Sequence, residues 1–102
     1  MFEALGAFRD HMSKIILKGF IIVPAEDLSS VKEELINHKN LTHDEPGCLV
    51  FEVIQDSNNP NRFSVHEEFV NKVAFESHQQ RVKSSYWGKV SANIERHYEI
   101  FV

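Results

Sequence analysis

The sequence predicts an α+β domain in which one layer of helices covers a four-stranded sheet. Three observations predict it. Runs rich in β-branched and aromatic residues recur at "IILKGFIIV", "CLVFEVIQ", "RFSVHEEF" and "ERHYEIFV". In the two long intervals between these runs, apolar residues recur at steps of three and four, the period of an amphipathic helix. The second and third runs are joined by "DSNNPN", a stretch of turn formers about as long as a hairpin loop.

In residues 1–14, "MFEALGAFRDHMSK", Phe2, Leu5, Phe8 and Met12 recur roughly at helical spacing. This predicts a short helical arm packed on the domain or on a partner chain. The stretch lacks the cationic start and continuous apolar run of a signal peptide. Residues 15–102 form the domain proper. Ile15 to Val23 reads as the first strand, closed by Pro24. A helix follows with Leu28, Val31, Leu35, His38 and Leu41 on one face. Glu26 and Asp27 sit at its start, where the helix dipole favours acids, and Pro46-Gly47 ends it. Cys48 to Gln55 is the second strand: Leu49, Phe51 and Val53 share one face, and Val50, Glu52 and Ile54 share the other with Cys48 in line. Both faces are largely apolar, so both need cover. Arg62 to Phe69 alternates as the third strand, with Phe63, Val65, Glu67 and Phe69 on one face. Asn71 can cap a second helix with Ala74, Phe75, His78 and Val82 inside. Ser84 or Ser85 can restart a helix with Trp87, Val90 and Ile94 on one side, and a last strand runs to the end.

This order is the split βαβ, ferredoxin-like arrangement. Right-handed crossovers place both helices on one face of the sheet. Apolar side chains on the other face then need a partner, and an identical sheet from a second subunit is the simplest cover. The sequence therefore predicts a homodimer.

Composition narrows the function classes. The chain of 102 residues suits one domain and is 42% hydrophobic and 25% charged, ordinary for a globular protein. A net charge of −4 without any run of Lys and Arg argues against a nucleic-acid partner. No apolar stretch reaches the length of a membrane span. Cys48 is the only cysteine, which excludes an intrachain disulfide and a thiolate metal cage, and fits a reducing cytoplasm. No Gly-rich phosphate loop or dinucleotide fingerprint is present, so flavin and nicotinamide have no visible site. A metal site is not expected either: Glu76 stands two positions from His78, the wrong spacing for one helix face.

The candidate chemistry lies in three polar residues on otherwise apolar faces. His38 belongs to the stripe of the first helix, His78 to that of the second, and Glu67 to the inner face of the third strand. If that face meets the helices, the three converge, and burial raises the carboxylate's pKa and lowers those of the imidazoles unless they pair. A His–Glu pair in an apolar pocket is a usable proton acceptor. Each residue also has a structural reading, a histidine bonded to a backbone carbonyl or a Glu67 tied to Arg62, Arg81 or a helix end. Phe51, Phe69, Tyr86 and Trp87 are candidate walls for a flat aromatic substrate, with core packing as the alternative. Gly88, beside Trp87, would let a backbone or a ligand approach closely. His66 points to the opposite sheet face and reads as structural or interfacial; His43 and His97 are assigned no role.

Taken together, "EPGCLVFEVIQD", "NPNRFSVHEEF" and "AFESH" resemble the antibiotic biosynthesis monooxygenase (ABM) domain family, over roughly residues 15–102. The resemblance implies a dimeric α+β barrel of ferredoxin-like protomers, each with a pocket between helices and sheet. Relatives include cofactor-independent quinol or anthrone monooxygenases, an autoinducer-2-processing isomerase and more distant haem-degrading enzymes. The expectation for this chain is a cofactor-independent monooxygenase that oxidises a small quinol-like or polyphenolic aromatic with O₂, using neither flavin nor metal. An isomerase of the autoinducer-2-processing type and a non-catalytic dimeric binding module stay open as alternatives. The haem-degrading relatives use a tryptophan near the end of the third strand, where Phe69 stands here. They also use an asparagine on the first strand, which "IILKGFIIV" lacks. Haem therefore ranks low.

Overall fold

The structure is a computed structural model that describes residues 13–102. Strand β1 (Ile15–Ile22) is followed by a 3₁₀ turn (Ala25–Asp27), helix α1 (Leu28–His43) and the hairpin of β2 (Cys48–Gln55) and β3 (Arg62–Phe69). Helix α2 (Lys72–Ser84), a short helix α3 (Tyr86–Val90) and strand β4 (Glu95–Phe101) complete the chain. The strands form one antiparallel sheet in the order β2-β3-β1-β4, the split βαβ topology. The expected helical arm falls almost wholly outside the described residues. Ser13 and Lys14, which are described, lead into β1 without helix, and Lys14 pairs with Glu68 at 2.6 Å.

Local chemistry explains the boundaries. Asn71 caps α2, its side chain accepting from the Ala74 N–H at 2.9 Å. Ser85, in extended conformation, ends α2 and caps α3 by accepting from the Gly88 N–H. The hairpin turn is held by the Asp56 carboxylate, which accepts from the N–H groups of Asn58 and Asn59. Gly47 takes φ +87°, a left-handed conformation that glycine adopts without strain, and so swings the chain from the end of α1 into β2.

Strand pairing of Ile15 with Phe69 and Ile21 with Phe63 sets the register. It places Ile15, Leu17 and Ile21 beside Phe63, Val65, Glu67 and Phe69, all buried under the helices. Three residues depart from the faces read from the sequence. Leu49 does not join Phe51 and Val53; an irregularity between Cys48 and Val50 resets the alternation, leaving Leu49 exposed while Cys48 packs against the core. On α1, Leu41 is exposed and the inward place one turn beyond His38 goes to Thr42, whose hydroxyl donates to the His38 carbonyl at 2.8 Å. Ile94, expected on the last helix, lies past the end of α3 but is buried all the same.

All seven residues of β4 are exposed, whereas the same sheet face is covered over β2, β3 and β1. The space between helices and sheet therefore opens along the β4 side. Among the described residues, no helix covers the opposite sheet face. It mixes exposed Ile54 and Phe101 with polar contacts: Arg62 lies 3.6 Å over the Phe20 ring, Phe20 stacks on His97, and His66 meets Glu68 at 2.7 Å.

Candidate functional site

Three elements deliver the polar residues read from the sequence to one place. The inward stripe of α1 brings His38, the middle of α2 brings His78, and the helix-facing side of β3 brings Glu67. All three are buried. The His38 and His78 rings are 5.9 Å apart, and Nε2 of His78 is 3.7 Å from Oε1 of Glu67. Trp87 from α3 stacks face to face on His38 at 4.6 Å, and Phe51 from β2 meets the same ring edge-on at 5.2 Å. Nδ1 of His38 is buried without a hydrogen-bond partner among the described residues.

His38, Glu67, Phe51 and Trp87 line a cavity of about 40 Å³, together with Arg96 and Tyr98 of β4 at its open side. Phe69 sits next to the cavity rather than on it: fully buried, it packs against His78 at 4.9 Å and Phe75 at 5.7 Å. Tyr86 is not a wall of this cavity. Neighbouring positions on a helix point about 100° apart, so a buried Trp87 turns Tyr86 outward, where it is 64% exposed in a hollow with Glu33 and Glu34. Gly88 serves backbone packing: a Cβ there would lie 2.5 Å from the Val82 carbonyl oxygen, so glycine lets α3 close against the end of α2.

Burial sets the protonation of the centre. It pushes His38 down to about 3, with the His78 and Arg81 charges adding to the effect, so this ring is neutral at neutral pH. Burial, and then the Glu45 charge, push Glu67 up to about 7. His78 is also lowered by burial, while the charge and hydrogen bond of Glu45 pull it back up and Arg81 adds to the lowering. Tyr98, 38% exposed as a whole residue, is raised to about 12 chiefly by desolvation on its side facing the cavity and then by the Glu67 charge, with the charge and hydrogen bond of Arg96 acting in the opposite sense.

A second group of residues, not singled out by the sequence reading, holds the centre in place. Glu45, in the turn before Gly47, reaches Nδ1 of His78 with both oxygens, at 3.0 and 3.2 Å. The same carboxylate accepts from Arg81 Nε. Arg81 Nη2 donates to Thr42 Oγ1 at 2.9 Å, and Thr42 donates to the His38 carbonyl. With Nδ1–H given to Glu45, His78 keeps its Nε2 lone pair toward Glu67. Arg81 thus partners Glu45 and not Glu67. One signal could have found the pair: His78 and Arg81 are three apart on a helix, so one acid facing that side can meet both. Nothing in the sequence places the turn acid there. His43, assigned no role, bonds the Phe51 carbonyl at 3.1 Å through Nε2. Among the described residues, no group of three or more His, Cys, Asp and Glu is arranged to hold a metal ion.

Comparison with solved structures finds the same fold at low sequence identity. A candidate antibiotic biosynthesis monooxygenase from Nitrosomonas europaea superposes with a TM-score of 0.71 at 16% identity, covering 89% of this chain and 88% of that one. A second from Deinococcus radiodurans gives 0.68 at 20% identity, covering 86% and 90%. A protein from Pseudomonas aeruginosa gives 0.72 at 22% identity, covering 89% and 93%. Comparison with curated proteins finds no match. The family model described as antibiotic biosynthesis monooxygenase matches residues 15–87, from β1 through the tryptophan stacked on His38. With the sheet order and helix layout described above, that match makes this chain a member of the ABM family.

Proposed function

We propose that the chain is a cofactor-independent monooxygenase that oxidises a small, electron-rich hydroxylated aromatic with O₂, using His38, Glu67 and His78 for proton transfer. The observation that carries this reading is an aromatic-lined cavity walled by His38 and Glu67, with His78 behind the wall 3.7 Å from Glu67, and with Glu67 raised to about 7. A base poised near neutrality can take a hydroxyl proton and later return it. Neutral His38 accepts or donates a hydrogen bond at the cavity wall, and His78, oriented by Glu45, passes the proton on from Glu67. The deprotonated substrate is a strong enough reductant to give its electrons to O₂ directly, the part otherwise played by a flavin. One oxygen atom enters the substrate and the other leaves as water. The protein contributes orientation and exclusion of bulk water. The same proposal includes a second subunit over the helix-free sheet face.

The small cavity, with polar groups at its mouth, favours a second reading. An isomerase would use one of these groups to remove a proton beside a carbonyl and another to return it to the neighbouring carbon. Oxygen separates the two. A panel of hydroquinones should consume O₂ and incorporate one labelled atom from ¹⁸O₂ in the presence of the protein, and all turnover should stop under argon. Turnover that persists anaerobically would replace the oxygenase reading by the isomerase one.

A further inference from the structure

The cavity of about 40 Å³ is far smaller than the roughly 150 Å³ that accommodates a benzene ring. Beside it, between α2, α3 and β4, runs a groove of about 550 Å³ lined by Gln79, Lys83, Gly88, Ser91 and Arg96 among others. Among the described residues, Arg96 is the one that lines both spaces. Its Nη2 donates to the buried Ser91 hydroxyl at 3.0 Å and its Nη1 to the Ile94 carbonyl at 3.2 Å. Arg96 also hydrogen-bonds the Tyr98 side chain. All three partners are neutral, and no carboxylate lies within ion-pair distance of Arg96 among the described residues. A guanidinium carries five N–H donors, so donors and charge are left over at the junction. Among the described residues, the groove adds a second cation, Lys83, and no acidic residue. Across the junction stands His38, whose buried Nδ1 has no partner among the described residues.

We propose that Arg96 receives a carboxylate of the substrate at the junction of groove and cavity. The substrate is then an acidic hydroxylated aromatic whose ring rests in the groove and whose hydroxyl alone reaches the cavity. The position of the hydroxyl rests on the proton-transfer reading above; the preference for a carboxylate does not. A forked guanidinium matches a carboxylate with two parallel hydrogen bonds, which a neutral ester cannot accept in the same way.

The test is equilibrium binding under argon, where no turnover occurs, so its outcome is independent of whether the protein is an oxygenase. The probes are gentisate (2,5-dihydroxybenzoate) and its methyl ester, titrated calorimetrically. Wild type should bind gentisate more tightly on the order of tenfold, the scale of a charge-assisted hydrogen bond. Arg96→Gln should abolish the preference, Arg96→Lys should keep part of it, and Lys83→Gln should reduce it less than Arg96→Gln does. A wild-type protein that binds the two probes equally, or binds neither, overturns the proposal. So does a preference that survives in Arg96→Gln. Should that variant fail to fold, the wild-type pair of titrations decides alone.

Discussion

Folding strips water from Glu67 and raises its carboxyl from 4.5 to about 7, so the folded protein binds a proton there that the unfolded chain releases. Stability therefore falls as pH rises between these values, by on the order of 3 kcal/mol at most for this gap. His38 acts on the other side. Its pKa drops from 6.5 to about 3, so acid favours the unfolded chain and stability falls as pH drops through that window. The two effects oppose each other between about 4.5 and 6.5, where stability should peak. Glu67→Gln removes the alkaline loss: its melting temperature should exceed that of wild type at pH 8 and lie close to it at pH 4, as thermal scans at both values would show. If Glu67 is the base, turnover of a genuine substrate rises with pH through about 7, and the Gln variant loses that limb. At His78, Glu45→Gln should lower the imidazole pKa, since the hydrogen bond and charge of Glu45 raise it. NMR titration of the His78 ring would read this, and an unchanged pKa would remove Glu45 from the centre.

Among the elements, the junction of α2 and α3 is tightly constrained. Gly88→Ala forces a Cβ to 2.5 Å from the Val82 carbonyl, so the short helix must move and carry Trp87 with it. The expected loss is about 1–3 kcal/mol by denaturant unfolding, with weakened stacking on His38. The Asn71 cap was legible and the second was narrowed to Ser84 or Ser85, because these are polar residues just ahead of apolar periodic runs; Ser85 is the cap. Strand alternation placed Glu67 correctly, and helical period placed His38 and His78. Period failed where the chain bends or stops. The irregularity at Cys48 turned Leu49 outward, and the fourteenth and fifteenth positions of α1 exchanged Leu41 for Thr42, since a buried threonine can bond its own helix and a leucine near the end can face water. Glu45 and Arg96 were not legible as partners of the centre. Their positions depend on how a turn and an edge strand fold back over it, which no local pattern encodes.

At the scale of the molecule, one layer of helices shields one side of a four-stranded sheet. An unpaired charge between helices and sheet cannot be tolerated: Phe51→Asp places a carboxylate at a site on β2 that is 5% exposed and should leave no cooperative unfolding transition in circular dichroism at pH 7. The helix-free face behaves differently. Ile54 is 58% exposed, so Ile54→Glu costs the protomer little, yet it places a charge in the surface proposed to meet a second copy. Sedimentation should then show a dimer for wild type and a folded monomer for the variant. A monomeric wild type would leave that face to solvent and remove the dimer from the proposed function. No described helix is long and apolar enough to cross a membrane.

The stacking of Trp87 on His38 has an optical consequence. Trp87 is the chain's only tryptophan, so all indole emission comes from one ring lying 4.6 Å from an imidazole. An imidazolium in that position quenches indole light, whereas a neutral imidazole quenches it far less. Brightness at a fixed wavelength should therefore dim as acid charges His38, and shift whenever a molecule lodges beside the stacked pair, giving a label-free gauge of occupancy at the heart of the protein.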